Sequence, residues 1–253
     1  MNRVEEVEEF LRKLAEFPDD KYPPELVPVP VDKHFNRGTA FFSGGLGLID
    51  DPAEGFPPFP IGGVMFVGNT LDAEEPYLKR HADGFAHGDR RRPMPTWRWL
   101  YELIERANLP ERCCFFTNIL VGLVKGNSAM GLRPRPRDQD WCEFEDWCRP
   151  FVEHQIHVMK PSIIVLLGKP AREFFGLDDA SVDRAPFAGH PAAYTCLRHP
   201  SMWPANLKGV VVDGLTGIAA QLQLVQKALA IANFRGGPCE TALALVGDKS
   251  KLR

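Results

Sequence analysis

Apolar residues recur along this chain in two rhythms. Short unbroken runs occur at 62–68 (GGVMFVG), 113–123 (CCFFTNILVGL), 162–168 (SIIVLLG) and 192–199 (AAYTCLRH). Runs this short, rich in β-branched and aromatic residues, predict strands buried on both faces, as in a parallel sheet. Between them, apolar positions repeat every three to four residues, which predicts amphipathic helices. One covers 96–107, with Thr96 as its cap and Trp97, Leu100, Leu103 and Ile104 inward. A longer one covers 138–159, carrying Trp141, Phe144, Trp147, Phe151, Val152 and Ile156 on its stripe and ended by Pro161. Gly168 opens a third in KPAREFFGL, and a fourth runs from about Gly214 to Ala232. The stretch between the first strand and Thr96 is polar and rich in turn residues, and no element is predicted there.

The two ends differ from this middle. Val4, Val7, Phe10, Leu11 and Leu14 have helical spacing over 2–16. Residues 17–59 then carry PPELVPVP and EGFPPFP, a Pro/Gly-rich composition that predicts a long irregular wrap. After Phe234 a Gly-Gly-Pro and few apolar positions predict a peripheral tail. The expected organisation is therefore an N-terminal helix and wrap over 1–59, an α/β domain over 60–232, and a tail over 233–253. Strands separated by helices predict a three-layer α/β/α sandwich around a central four-stranded parallel sheet. Right-handed crossovers bring the strand carboxyl ends to one edge, where such sheets bind ligands. That edge would collect Gly68-Asn69-Thr70, Thr117-Asn118, Gly168-Lys169 and His199-Pro200-Ser201.

Composition narrows the class. At 44% hydrophobic and 25% charged over 253 residues, the chain can bury a full core. It has no apolar run long enough for a membrane span and no secretory pattern at its start, so a cytoplasmic protein is expected. A net charge of −3 argues against coating nucleic acid by bulk charge, though Arg90-Arg91-Arg92 and the alternating Arg133, Arg135 and Arg137 could line a local groove. Six cysteines with no C-x-x-C pair predict reduced thiols. His154 and His157 lie one helical turn apart beside Glu153, a spacing more often found on a solvated face than at a metal. Gly44-Gly45-Leu46-Gly47 has no strand-to-helix context and is no phosphate loop. No metal or other cofactor is expected.

Four strand-end peptides together resemble the uracil-DNA glycosylase superfamily, most nearly its thermophile-type branch with an iron–sulfur cluster. They are Gly68-Asn69-Thr70-Leu71-Asp72, where the family has G-E-A-P-G or a relative; Thr117-Asn118-Ile119-Leu120-Val121, similar to TN-x-V-K; Cys148-Arg149-Pro150-Phe151-Val152 running on to Ile163, Ile164 and Leu167-Gly168; and His199-Pro200-Ser201. The resemblance implies base excision in DNA repair, by an enzyme that rotates a base out of the strand and holds it in a pocket. It implies that His199 donates to the departing base, that Asn118 reads the base edge, and that Phe85 in DGFAHG stacks on the ring. Gly68 would line the base pocket with them, and Asn69, Thr70 and Asp72 would surround the sugar and the water. Ser201 and Lys169 would meet phosphate, and Met202-Trp203 would fill the vacated stack, with a buried anchor as the other reading of Trp203. DNA is the expected partner and a monomer the expected state.

The chain departs from the family in two places. Of the cluster cysteines only Cys148 stands in position; Gly126 occupies the place of a second, and the N-terminal segment has none. One thiolate cannot hold a four-iron cluster, which takes four. In the first motif, active relatives place Asp or Asn at the position of Thr70, or Glu at that of Asn69. Asn69 can orient a water but cannot take its proton, and Asp72 is a carboxylate in another register. The resulting expectation is a monofunctional glycosylase, weak or lesion-restricted, with a non-catalytic binder of nucleic acid or a base-like ligand as the alternative.

Overall fold

A computed structural model describes residues 21–28, 60–70, 72–83, 94–127, 139–177, 182–202, 207–235 and 240–241. The expected helix over 2–16, most of the Pro/Gly-rich wrap, Leu71, Phe85, Trp203 and both arginine clusters lie outside these residues. In chain order the strands are β1 (Leu26–Val27), β2 (Pro60–Ile61), β3 (Val64–Gly68), β4 (Cys114–Asn118), β5 (Leu123–Val124), β6 (Ile163–Leu167), β7 (Val182–Phe187), β8 (His190–Leu197), β9 (Val211–Val212), β10 (Leu215–Thr216) and β11 (Glu240–Thr241). The helices are α1 (Glu74–Ala82), α2 (Pro95–Arg106), α3 (Gln139–Met159), α4 (Lys169–Phe174) and α5 (Gly217–Ala232).

The central sheet has five strands in the order β4-β3-β6-β8-β7. The four predicted strands are all present and mutually parallel. Alternation along them separates two cores, because successive side chains leave a strand on opposite faces. Met65, Val67, Ile164 and Leu166 join Phe144, Phe151, Val152 and Ile156 of α3 on one face. Val64, Phe66, Ile163 and Val165 join Leu100, Leu103 and Ile104 of α2 and Leu224, Val225 and Ala228 of α5 on the other. Both faces are covered, which is why β3 and β6 are apolar at every position.

Several expectations are corrected. The sheet is mixed rather than purely parallel, because β7 pairs antiparallel to β8 through a two-residue turn at Ala188-Gly189. Both turn residues have positive φ, 48° and 77°, as a type I′ hairpin requires. Ala188 is a poor sequence signal for that geometry, so the residues do not announce the hairpin. The polar stretch after β3 contains a helix, α1, whose buried anchor is Tyr77. Helix α2 begins with Pro95 and its N-cap is Met94 with no side-chain cap bond, not Thr96; proline at the first helical position needs no N–H partner. Trp147, assigned to the apolar stripe of α3, is 36% exposed on its flank. Cys113 is disulfide-bonded, against the reduced reading, to a partner outside the described residues. Cys114, Cys142, Cys148 and Cys196 are free thiols. In the tail, β11 pairs antiparallel with β2. No helix among the described residues is long and apolar enough to cross a membrane.

Candidate active site

The strand order carries a topological switch. From β3 the chain crosses to β4 on one side, then to β6 on the other, so a crevice opens at the carboxyl ends of β3 and β6. Gly68 ends β3, and Gly168 follows β6 in a left-handed conformation at φ 92°. Asn118 at the end of β4 and His199 just past the end of β8 flank this crevice from the outer strands. Three strand spacings separate β4 from β8, about 14 Å at the backbone.

Asn118 stands directly across the ladder from Gly68. Its side chain lies over that glycine: a methyl group placed on Gly68 would run into Oδ1 of Asn118. Gly68 is not among the residues with positive φ. The close approach of Asn118, not backbone geometry, therefore explains the missing side chain. Two further bonds tie the loops after β3 and β4 together, Ile119 N–H to Gly68 O and Leu120 N–H to Asn69 O, each 3.0 Å. Asn69 and Thr70 follow, both half-buried.

Asp72 is 8% exposed, so it is no surface turn residue. Its Oδ1 accepts the N–H of Ala73 at 2.8 Å, immediately before α1. Burial pushes its carboxyl up to about 6, with the Ala73 N–H and the Arg80 guanidinium of α1 pulling the other way. Its carbonyl accepts the Val124 N–H at 2.9 Å, which joins the loop to β5.

His199 is held more completely. Its Nδ1 lies 2.8 Å from Ser201 Oγ and 3.3 Å from the Ser201 backbone nitrogen. A backbone N–H can only donate, so Nδ1 carries a lone pair and the ring proton sits on Nε2. Burial pushes the histidine down to about 4, so the ring is neutral near pH 7. Behind it, a methyl on Gly168 would come within 3.2 Å of His199 Cβ. The amide of Gly168 donates to Leu197 O at 2.8 Å, and the amide of Arg198 donates to Gln221 Oε1 at 2.8 Å. Ser201, expected at phosphate, thus turns both its hydroxyl and its amide toward His199. Lys169 is exposed at the start of α4, 3.3 Å from Glu173. Met202 lies in the short 3-10 turn after His199.

The structure therefore brings together Gly68 with Asn118, and His199 with Ser201, and sets both pairs on one sheet edge. Gln221 was missed as a site-forming residue; Gly168 was expected at this edge, but not its packing behind His199. A signal for Gln221 existed: it interrupts the stripe of Ala220, Leu224, Val225 and Ala228 on α5, where a buried amide needs a partner.

The cluster position does not fit a cluster. Cys148 is fully buried, its Sγ accepts the Val121 N–H at 3.3 Å, and burial pushes its thiol up to about 12. A metal ligand must be a thiolate. Beside it Trp141 donates to Glu25 and Tyr22 packs against Phe144, so apolar and aromatic groups occupy the surroundings. No group of three or more His, Cys, Asp and Glu among the described residues is arranged to hold a metal ion; His157 is exposed on α3 and His154 half-buried.

Residues 62–226 match the family model described as Uracil DNA glycosylase superfamily. The match spans all five strands of the central sheet, the Gly68 loop, Asn118 and the His199 loop. Comparison with curated proteins gives no match.

Proposed function

This chain belongs to the uracil DNA glycosylase superfamily, and we propose that it is a monofunctional DNA glycosylase. Its substrate would be uracil or another deaminated or damaged base, removed slowly or from a restricted set of lesions. The observation that carries the reading is the neutral His199 with its proton on Nε2, held by Ser201 at the carboxyl edge of the sheet. When the N-glycosidic bond breaks, its electron pair leaves with the base and the sugar becomes oxocarbenium-like. A fixed N–H directed at the base oxygen stabilises that charge as it forms. The neutral imidazole has a single N–H to donate, and with Nδ1 held by Ser201 it is the one on Nε2. Asn118 offers one donor and one acceptor to the base edge, and about 14 Å between β4 and β8 leaves space for one planar ring between the two side chains. Phe85 would stack on that ring, and Lys169, Met202 and Trp203 would face the strand.

The attacking water adds to C1′ and loses its proton to solvent. Asn69 and Thr70 orient it without carrying charge. Asp72, turned toward Ala73 N–H and the start of α1, serves as an anchor of the loop in this reading. Without a carboxylate facing the cationic sugar, excision is slow and favours bases that leave easily. That same lack of charge supports the second reading, a non-catalytic member that binds nucleic acid or a base-like ligand in the same crevice. An excision assay over oligonucleotides carrying single lesions separates the two. Release of at least one base, lost in His199→Ala, supports the glycosylase. Retained binding to lesion DNA with no release of any base sinks it in favour of the binder.

A further inference from the structure

Gln221 is 1% exposed, a polar residue within the apolar stripe of α5. Its Oε1 accepts the backbone N–H of Arg198 at 2.8 Å. The donor is an amide N–H, so the atom facing it must be the carbonyl oxygen, and the carboxamide has one orientation. Arg198 lies just beyond the sheet. The Gly168 N–H donates to Leu197 O, so Leu197 faces β6 and the next amide, that of Arg198, faces the β7 side of β8. There β7 begins only at Val182, opposite Thr195, so among the described residues no strand stands across from this part-buried amide, and an amide shielded from water needs another acceptor. Gln221 supplies from a helix what the ladder no longer can.

We infer that Gln221 is a positioning residue for His199. Leu197 is fixed by the Gly168 N–H and Arg198 by Gln221, so the backbone on both sides of the Leu197–Arg198 peptide is set when the chain reaches His199. Ser201 then sets the rotation and tautomer of the ring from the far side. The two contacts act on different degrees of freedom. Ser201 orients the imidazole about its own bonds, whereas Gln221 fixes where its Cα stands. A donor aimed at a leaving base must be placed within a fraction of an ångström, and a misplacement of about 1 Å can cost roughly 10²-fold in rate. The inference rests on the reading of His199 as the group that faces the departing base.

The test compares Gln221→Met, similar in length but without an acceptor, with Gln221→Glu, which keeps one. On a lesion oligonucleotide, Gln221→Met should lower kcat by roughly 10²-fold with KM little changed, and Gln221→Glu should recover most of the loss. A merely structural role predicts a lower melting temperature with no kcat-specific loss and no rescue by Glu. Independently of excision, the Arg198 amide in the unmodified chain should exchange slowly with solvent. The His199 ring should show a single Nε2–H tautomer by 15N NMR, and Gln221→Met should lose the slow Arg198 exchange while keeping that tautomer, which Ser201 sets. An Arg198 amide that exchanges at free-loop rates in the unmodified chain overturns the inference even if Gln221→Met cannot be folded. Wild-type kcat in Gln221→Met, with His199→Ala inactive, overturns the positioning role alone. Full activity in His199→Ala overturns the reading on which it rests.

Discussion

The two sides of the crevice are unequally built. On the β8 side, His199 is held at Nδ1 by Ser201, backed by Gly168, and approached along a backbone fixed by Gln221. These contacts all bear on one neutral imidazole. On the β3 side, the loop from Gly68 to Asp72 is tied into the fold by its carbonyls, at Gly68, Asn69 and Asp72. Its side chains bring no charge to the front: Asn69 and Thr70 are uncharged, and the carboxyl of Asp72 is turned to the start of α1. Stabilising a departing base takes only a fixed dipole, whereas activating water and facing a sugar cation takes a base or a negative charge. In the proposed mechanism the machinery for the first is complete and that for the second is reduced. Such a site suits substrates whose bases are already good leaving groups.

The largest effect should come from the complete side. In the proposed mechanism His199→Ala removes the donor at the leaving base, and excision should fall by about 10²–10³-fold, the usual cost of losing such a donor. Single-turnover release from a lesion oligonucleotide measures it; a loss under about tenfold would break the contrast between the two sides. Next comes a gain on the reduced side. Asn69→Glu returns a carboxylate to the place where active relatives carry one, and single-turnover excision should rise by up to about 10²-fold. No gain would show that something other than charge limits the loop.

A smaller effect is expected at the junction of the two loops. Gly68→Ala should push the Asn118 carboxamide aside and lower kcat/KM by roughly 10-fold to 10²-fold, the worth of one bidentate base contact. The same change in an Asn118→Gly background should cost almost nothing further, since the colliding atom is gone. Additive losses in that double-mutant cycle would refute the contact.

The smallest catalytic effect should be that of Asp72→Asn, with kcat changed only a few-fold. Its stability effect is distinct. The carboxyl is held at about 6 in the fold against 3.8 in the open chain, so burial opposes its ionisation. The stability it contributes is fully present below pH 3.8 and is lost as pH rises through about 6. Asp72→Asn should therefore exceed the unmodified chain in stability by roughly 1–3 kcal/mol at about pH 8, by less near pH 6, and not at all near pH 4. Urea unfolding at the three values reads this. If kcat instead falls steeply, Asp72 reaches the sugar and the β3 side is better equipped than its geometry shows.

The layered fold is legible in the residues alone, because its signals are local. Four apolar runs could only be strands buried on both faces, and the three-to-four repeats of α2, α3 and α5 could only cover them. The same order of elements puts Gly68, Asn118, Gly168 and His199 at one sheet edge. Other features have causes that lie far apart in the chain, and they emerge only on packing. Helix α1 has Tyr77 as its buried anchor and so shows no repeat. Strand β7 is an edge strand, partly or fully exposed up to its last residue, with an alanine in its turn, so it escapes a search for apolar runs. The direction of the Asp72 carboxyl depends on where α1 begins. The partner of the Arg198 amide, Gln221, comes from a helix 23 residues later. Periodicity reports which face of an element is buried, but it says nothing of which distant side chain meets a given amide. That is settled only when the layers close on one another.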